Sequence, residues 1–278
     1  MKFMILSLSI ASVLGSATDA IAQSGGQYAT VNGLKMYYEV HGEGQPLVLI
    51  HGAASTIEST FGRVIGIFSK THKVIAVELQ AHGHSGDRPG PISFEQDADD
   101  VAELCRQLKV EQADFFGFSN GGTTCLQIYI RHPKIVRKLI LASAAYNHNG
   151  MPQAFWDGIK HAEIKSLPAG LKEAFVKANP DPKALEAMFY KCAQRMADFK
   201  DIPDETIRSI QAPSLVVLGD QEVVKPEHAL EMFHTLPHAR LAIIPAGHGE
   251  YIGEADSSKK ESKVPALVAQ MIEEFLNG

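Results

Sequence analysis

Apolar residues along this chain fall into two kinds of run. Short continuous runs at 46–50, 73–77, 113–118, 139–142, 215–218 and 241–244 have the form of strands buried on both faces. Between them lie longer stretches with helical spacing. In 94–108, Ala98, Val101, Leu104, Cys105 and Leu108 share one helix face. Further helices are predicted over 58–69, from Gly121 to a stop at Pro133, over 227–235 and over 264–276. Two alternating runs at 28–31 and 35–40 are joined by Asn32-Gly33, a strong hairpin turn signal. Strands that alternate with helices predict an α/β fold with a doubly wound, mostly parallel sheet.

One segment breaks the alternation. From 146 to 210 no strand pattern occurs, and helical patterns are punctuated by Pro152, Pro168, Pro180, Pro182 and Pro203. The segment is rich in aromatics, among them Phe155, Trp156, Phe175, Phe189, Tyr190 and Phe199. It is too small for an independent domain and the strand pattern resumes after it, so it reads as a helical cap between the sixth and seventh strands. Phe155 and Trp156 are its candidate substrate-binding residues.

The start of the chain carries a different signal. Lys2 precedes a short apolar run over 3–14, and small residues end in Ala20-Ile21-Ala22. A cationic start, a short apolar core and an A-x-A site predict an export signal over 1–22, cut after Ala22. The protein is therefore expected in the periplasm or outside the cell, with 23–278 as one α/β domain. The run is too short and too serine-rich for a membrane span, and stable membrane insertion is not expected. Across all 278 residues, 45% are hydrophobic and 21% charged, enough to bury one large core. The net charge of -6 and the lack of a basic block exclude nucleic acid as an expected partner. Cys105, Cys125 and Cys192 are odd in number and form no Cys-x-x-Cys pair, so no disulfide essential to the fold is expected.

Chemistry concentrates in a few places. Gly117-Phe118-Ser119-Asn120-Gly121-Gly122 lies between a predicted strand and a predicted helix. That context makes Ser119 a nucleophile candidate on a sharp strand-to-helix turn, where glycines allow close backbone approach. A serine hydroxyl needs a base within reach at neutral pH. His248, in Gly247-His248-Gly249 after the last strand, is the best candidate. His132, His161, His228, His234 and His238 lie in helical or turn stretches without such a setting. Asp220 and Glu222, after the seventh strand, are both able to orient the imidazole. An oxyanion hole is expected from the backbone N–H groups of Ala53 and Asn120. His51 reads as structural. His82, His84 and Asp87 suggest zinc at first sight, yet a closed tetrahedral site needs ligands that are not grouped nearby, and no metal is expected.

Four blocks in order then make the chain resemble the α/β-hydrolase superfamily over nearly all of 23–278: His51-Gly52-Ala53-Ala54, the loop from Glu78 to Ser85, the turn around Ser119, and Gly247-His248. The loop is similar to the family's Asp-Leu-Arg-Gly-His-Gly-x-Ser and departs from it at Glu78, Gln80 and Ala81. The resemblance implies a catalytic triad under a helical cap and no cofactor. In similar hydrolases the acid stands three residues after the glycine that ends the seventh strand, with a proline four residues beyond. From Gly219 this spacing selects Glu222 and Pro226; residue type favours Asp220, and spacing makes Glu222 the expected acid with Asp220 the alternative. The expected function is cleavage of a carboxylic ester or lactone of a small to medium apolar substrate through an acyl-enzyme. A carbon–carbon bond hydrolase, a cofactor-free perhydrolase or an acyltransferase on the same triad is the alternative, and a non-catalytic binding protein is a further one.

Overall fold

A computed structural model describes residues 25–255 and 261–278; the expected export signal lies outside them. Eight strands form one sheet: β1 (Gln27–Val31), β2 (Leu34–His41), β3 (Gln45–Ile50), β4 (His72–Glu78), β5 (Ala113–Phe118), β6 (Val136–Ala142), β7 (Ser214–Gln221) and β8 (Ala239–Gly247). The spatial order is β1-β2-β4-β3-β5-β6-β7-β8. The β1–β2 and β2–β4 pairings are antiparallel and the rest parallel. Asn32 and Gly33 both have positive φ, 46° and 81°, as a two-residue hairpin turn requires.

Ten α-helices and three single-turn 3-10 helices complete the described fold, the α-helices being α1 (Ile57–Phe61), α2 (Ile65–Phe68), α3 (Phe94–Gln107), α4 (Asn120–Arg131), α5 (Gln153–Ile159), α6 (Ala169–Ala178), α7 (Pro182–Ala197), α8 (Asp204–Arg208), α9 (Pro226–Thr235) and α10 (Val264–Asn277). The helix expected over 58–69 is two short ones. Gly62 and Gly66 weaken helix propensity there, and Phe61, Val64 and Phe68 still reach the core.

Alternate residues of each central strand serve opposite faces. Val48, Ile50, Phe115, Leu139 and Val216 pack against α3, α4 and α9. Leu47, Leu49, Phe116, Ile140 and Val217 pack against α1, α2 and α10. The sheet is thus covered on both sides, which explains the uninterrupted apolar runs. From β3 the chain moves to β4 on one side and β5 lies on the other. The carboxyl ends of β3 and β5 therefore flank a switch point, where α/β sheets open a crevice.

Between β6 and β7 no strand occurs among the described residues, and α5 to α8 fill the segment. Its base is closed by Ile202 N–H donating to Tyr146 O at 2.7 Å. The insertion is clamped to the body by charge as well as by apolar contact. Arg195 of α7 donates to Asp97 of α3 at 2.7 Å, both buried, and Lys191 donates to Asp87 at 2.6 Å. The Arg195 guanidinium also stands 4.6 Å from the centre of the Phe94 ring.

Candidate active site

Ser119 follows β5 and precedes α4 with φ 53° and ψ -119°. This left-handed conformation is costly for a residue with a β-carbon, and the surroundings hold it there. Ser119 N–H donates to Ala142 O at 2.7 Å, and Ser119 O accepts from Gly122 N–H at 2.9 Å. The neighbouring glycines are demanded by space. A β-carbon on Gly117 would stand 2.1 Å from Gly121 O, and one on Gly121 2.1 Å from Ile50 O. The turn is backbone packed on backbone, with the serine at its apex.

Ser119, Ala53, Asn120 and His248 line one chamber of about 280 Å³ beneath the cap. His248 Nδ1 is 2.5 Å from Glu222 Oε2. An ionised carboxylate only accepts, so Nδ1 carries the proton and Nε2 is left with a lone pair. Desolvation works against the charged imidazole. The hydrogen bond and charge of Glu222, with the charge of Glu254, outweigh it and raise the His248 pKa. The Glu222 side chain is fully buried. Asp220 is exposed, and its Oδ1 accepts from Ala246 N–H at 3.0 Å. The structure places Glu222 on the imidazole and Asp220 against the carboxyl end of β8, the strand that leads to His248.

Ala53 lies between two peptide groups fixed by buried histidines. His51 Nδ1 meets Gly52 O at 2.7 Å and its Nε2 accepts from Leu79 N–H at 3.1 Å. His82 Nδ1 meets Gln80 O at 2.8 Å and its Nε2 accepts from Ala54 N–H at 3.2 Å. Burial lowers both pKa values, to about 3 for His51 and about 4 for His82. Each is a neutral ring with one donor and one acceptor in use, which shapes the 52–54 turn. Ser55 Oγ adds a link to Glu254, at 2.9 Å, from the loop that carries His248. As the first residue of α4, Asn120 has no carbonyl four residues back in its own helix, so its N–H is available.

His84 turns the other way, onto Glu78, which accepts from its backbone N–H at 2.6 Å and stands 3.0 Å from its Nδ1. Glu78 also accepts from Ile57 N–H at 3.3 Å and so ties α1 to this loop. Asp87 pairs with Lys191. Among the described residues, no three His, Cys, Asp or Glu stand in position to hold a metal.

The cap aromatics divide. Phe155 lines the chamber with Met151, Ile159, Leu171 and Phe189. Trp156 does not, which corrects the expectation that both do. It is buried among Phe94, Met196 and Phe199, and its Nε1 donates to His148 O at 2.9 Å. Adjacent residues of a helix lie about 100° apart around its axis, and α5 turns Phe155 to the cavity and Trp156 toward Phe94 and Phe199.

Ser143, Tyr251, His82 and Glu254 are site residues that sequence reasoning did not assign to it. Tyr251 and Glu254 carried one signal, their closeness in sequence to His248. Ser143 carried none.

A family model described as "alpha/beta hydrolase fold" matches residues 45–159. Human serine hydrolase BPHL is 27% identical over 252 residues, covering 83% of this chain and 82% of the relative. The 2-hydroxymuconate semialdehyde hydrolase of Pseudomonas sp. (strain CF600) is 26% identical over 264 residues, covering 81% and 93%. The enol-lactonase of Burkholderia xenovorans LB400 shares the fold with a TM-score of 0.71 at 22% identity, covering 91% and 100%. The chain thus has the α/β-hydrolase fold and matches that family's model over 45–159. The non-heme chloroperoxidase CPO-A1 of Kitasatospora aureofaciens is also similar, at 26% identity over 259 residues, and hydrolase is the activity class that the relatives named for an activity support most broadly.

Proposed function

We propose that the protein cleaves a carboxylic ester or lactone of a small to medium, uncharged substrate through an acyl-enzyme on Ser119. The observation that carries this is the meeting of Ser119 and His248 in one chamber, with the imidazole held at 2.5 Å by a buried Glu222. In this reading Ser119 Oγ attacks the carbonyl carbon while His248 Nε2 takes its proton. The N–H groups of Ala53 and Asn120 receive the negative charge that develops on the carbonyl oxygen. His248 then returns the proton to the leaving alcohol, and water repeats the sequence on the acyl-enzyme.

The lining favours a neutral substrate. Besides Ser119, Asn120, Ser166, Cys192 and His248, the chamber wall is apolar and carries no Lys, Arg, Asp or Glu. The curated relative named for 2-hydroxymuconate semialdehyde takes, by that name, a carboxylate. Here the nearby buried cation, Arg195, donates through Nη1 to Asp97 and does not line the chamber. Asn120 adds a buried side-chain Nδ2 with no hydrogen-bond partner, a donor left for a second oxygen of the substrate. A panel of p-nitrophenyl esters and lactones, with fluorophosphonate labelling of Ser119, tests the reading. Labelling with ester turnover supports it; turnover confined to anionic substrates, or no labelling, defeats it. Export is proposed on Lys2, the run over 3–14 and Ala20-Ile21-Ala22, and sequencing the mature amino terminus checks it.

A further inference from the structure

Glu222 uses one oxygen on His248, and the partners of the other deserve an account. Its Oε1 accepts from the Ser143 hydroxyl and, at 3.3 Å, from Gly219 N–H. Ser143 Oγ is in turn 2.5 Å from the hydroxyl of Tyr251, a wholly buried side chain. The proton directions follow from the chemistry of the groups. An ionised carboxylate can only accept, so Ser143 gives its single proton to Glu222 and its lone pairs receive the Tyr251 proton. The other acceptor near Tyr251, Val217 O, is at 3.5 Å and too far to compete. Burial, with the charges of Glu222 and Glu254, raises the Tyr251 pKa and keeps it a donor.

The backbone of Ser143 supplies an independent observation. Its φ is 48°, in the left-handed region, at the end of β6. Ser143 N–H donates to Val217 O at 2.7 Å, which fixes the turn. Glycine adopts this conformation freely, and a residue with a β-carbon does not. The chain nevertheless places a serine there, and its hydroxyl reaches the catalytic carboxylate.

We propose that Ser143 and Tyr251 are positioning residues of the catalytic site, which hold the Glu222 carboxylate aimed at His248. The chain of donors runs from Tyr251 to Ser143 to Glu222, and the carboxylate meets the imidazole with its other oxygen. This rests on the reading of Ser119, His248 and Glu222 as a triad. It also gives both oxygens of a side chain with no solvent contact a hydrogen-bond partner.

Ser143→Gly separates this role from a structural one. The change removes the hydroxyl and relieves the backbone, so the melting temperature is expected to hold or rise. With one hydrogen bond to a charged group lost, kcat is expected to fall about tenfold or more at unchanged KM. Tyr251→Phe is expected to lower kcat by about threefold, because it removes a bond one step from the carboxylate. A second readout needs no substrate. The Nδ1 proton of His248 should resonate far downfield in the wild type, and that signal should move in Ser143→Gly. Full kcat with an unmoved resonance, or a kcat loss that only tracks a lowered melting temperature, overturns the proposal. If Ser119→Ala retained turnover, the triad reading itself would fail, and the resonance would still report whether Ser143 governs the Glu222–His248 pair.

Discussion

On the floor of the chamber, at the carboxyl ends of β5 and β7, backbone meets backbone. A β-carbon on Gly121 would stand 2.1 Å from Ile50 O, and one on Gly219 2.1 Å from Ala246 O. The roof is assembled by other means. The helices α5 to α7 reach the body through side chains: Leu171, Phe175, Met188 and Phe189 meet Ala54, Ala81 and Ile92, while Arg195 and Lys191 meet Asp97 and Asp87. The difference is one of tolerance. Side-chain contacts can be repacked at similar volume for a modest cost, whereas a backbone approach admits no added carbon. The floor is thereby committed to one chemistry, and the roof can change the substrate that reaches it.

This contrast breaks first at the nucleophile. Ser119→Ala is expected to lower ester turnover by about 10⁴-fold or more while the melting temperature hardly changes, since the small side chain packs against little. Retention of a tenth of wild-type activity would remove Ser119 from the mechanism. Next comes the acid. Glu222→Gln should reduce kcat by about 10²- to 10⁴-fold with little change in KM, and Asp220→Asn should be mild because an asparagine oxygen still accepts from Ala246 N–H. The reverse pattern in steady-state kinetics would move the triad to Asp220.

The roof gives smaller and differently distributed effects. Trp156→Ala should destabilise the protein by about 3–5 kcal/mol in denaturant unfolding, as loss of a core aromatic does. Phe155→Ala should cost less stability and should instead shift chain-length preference across an ester series. Equal loss on all substrates in Phe155→Ala would place that residue in the core with its neighbour. The smallest expected effect is on pH dependence. His248 must be neutral to accept the serine proton, and Glu222 and Glu254 raise its pKa above the ordinary 6.5. The acid limb of kcat/KM should therefore lie above that value, with activity lost as pH falls through it. An acid limb below the ordinary value would show that burial, rather than the carboxylates, sets the charge of His248.

Much of this molecule was legible before its structure. Continuous apolar runs marked the buried strands, because both faces of a parallel sheet are covered. Gly117, Ser119 and Gly121 marked the sharp turn, since its geometry is local and depends on which residues accept close approach. The long strandless stretch, with its prolines and aromatics, marked the insertion. Features of this kind depend on neighbours within a few positions, and linear order records them.

Tertiary structure decided what depends on distant partners. Spacing pointed to Glu222 against the residue type of Asp220, and only the fold shows the end of β7 turning Glu222 inward onto His248 and leaving Asp220 exposed. Phe155 and Trp156 looked equivalent until α5 faced one to the chamber and the other to the core. Ser143 meets Glu222 across 79 positions of sequence, and Ser55 meets Glu254 across 199. No periodicity or motif encodes such pairs, because their proximity is set by the order of strands in the sheet rather than by the order of residues in the chain.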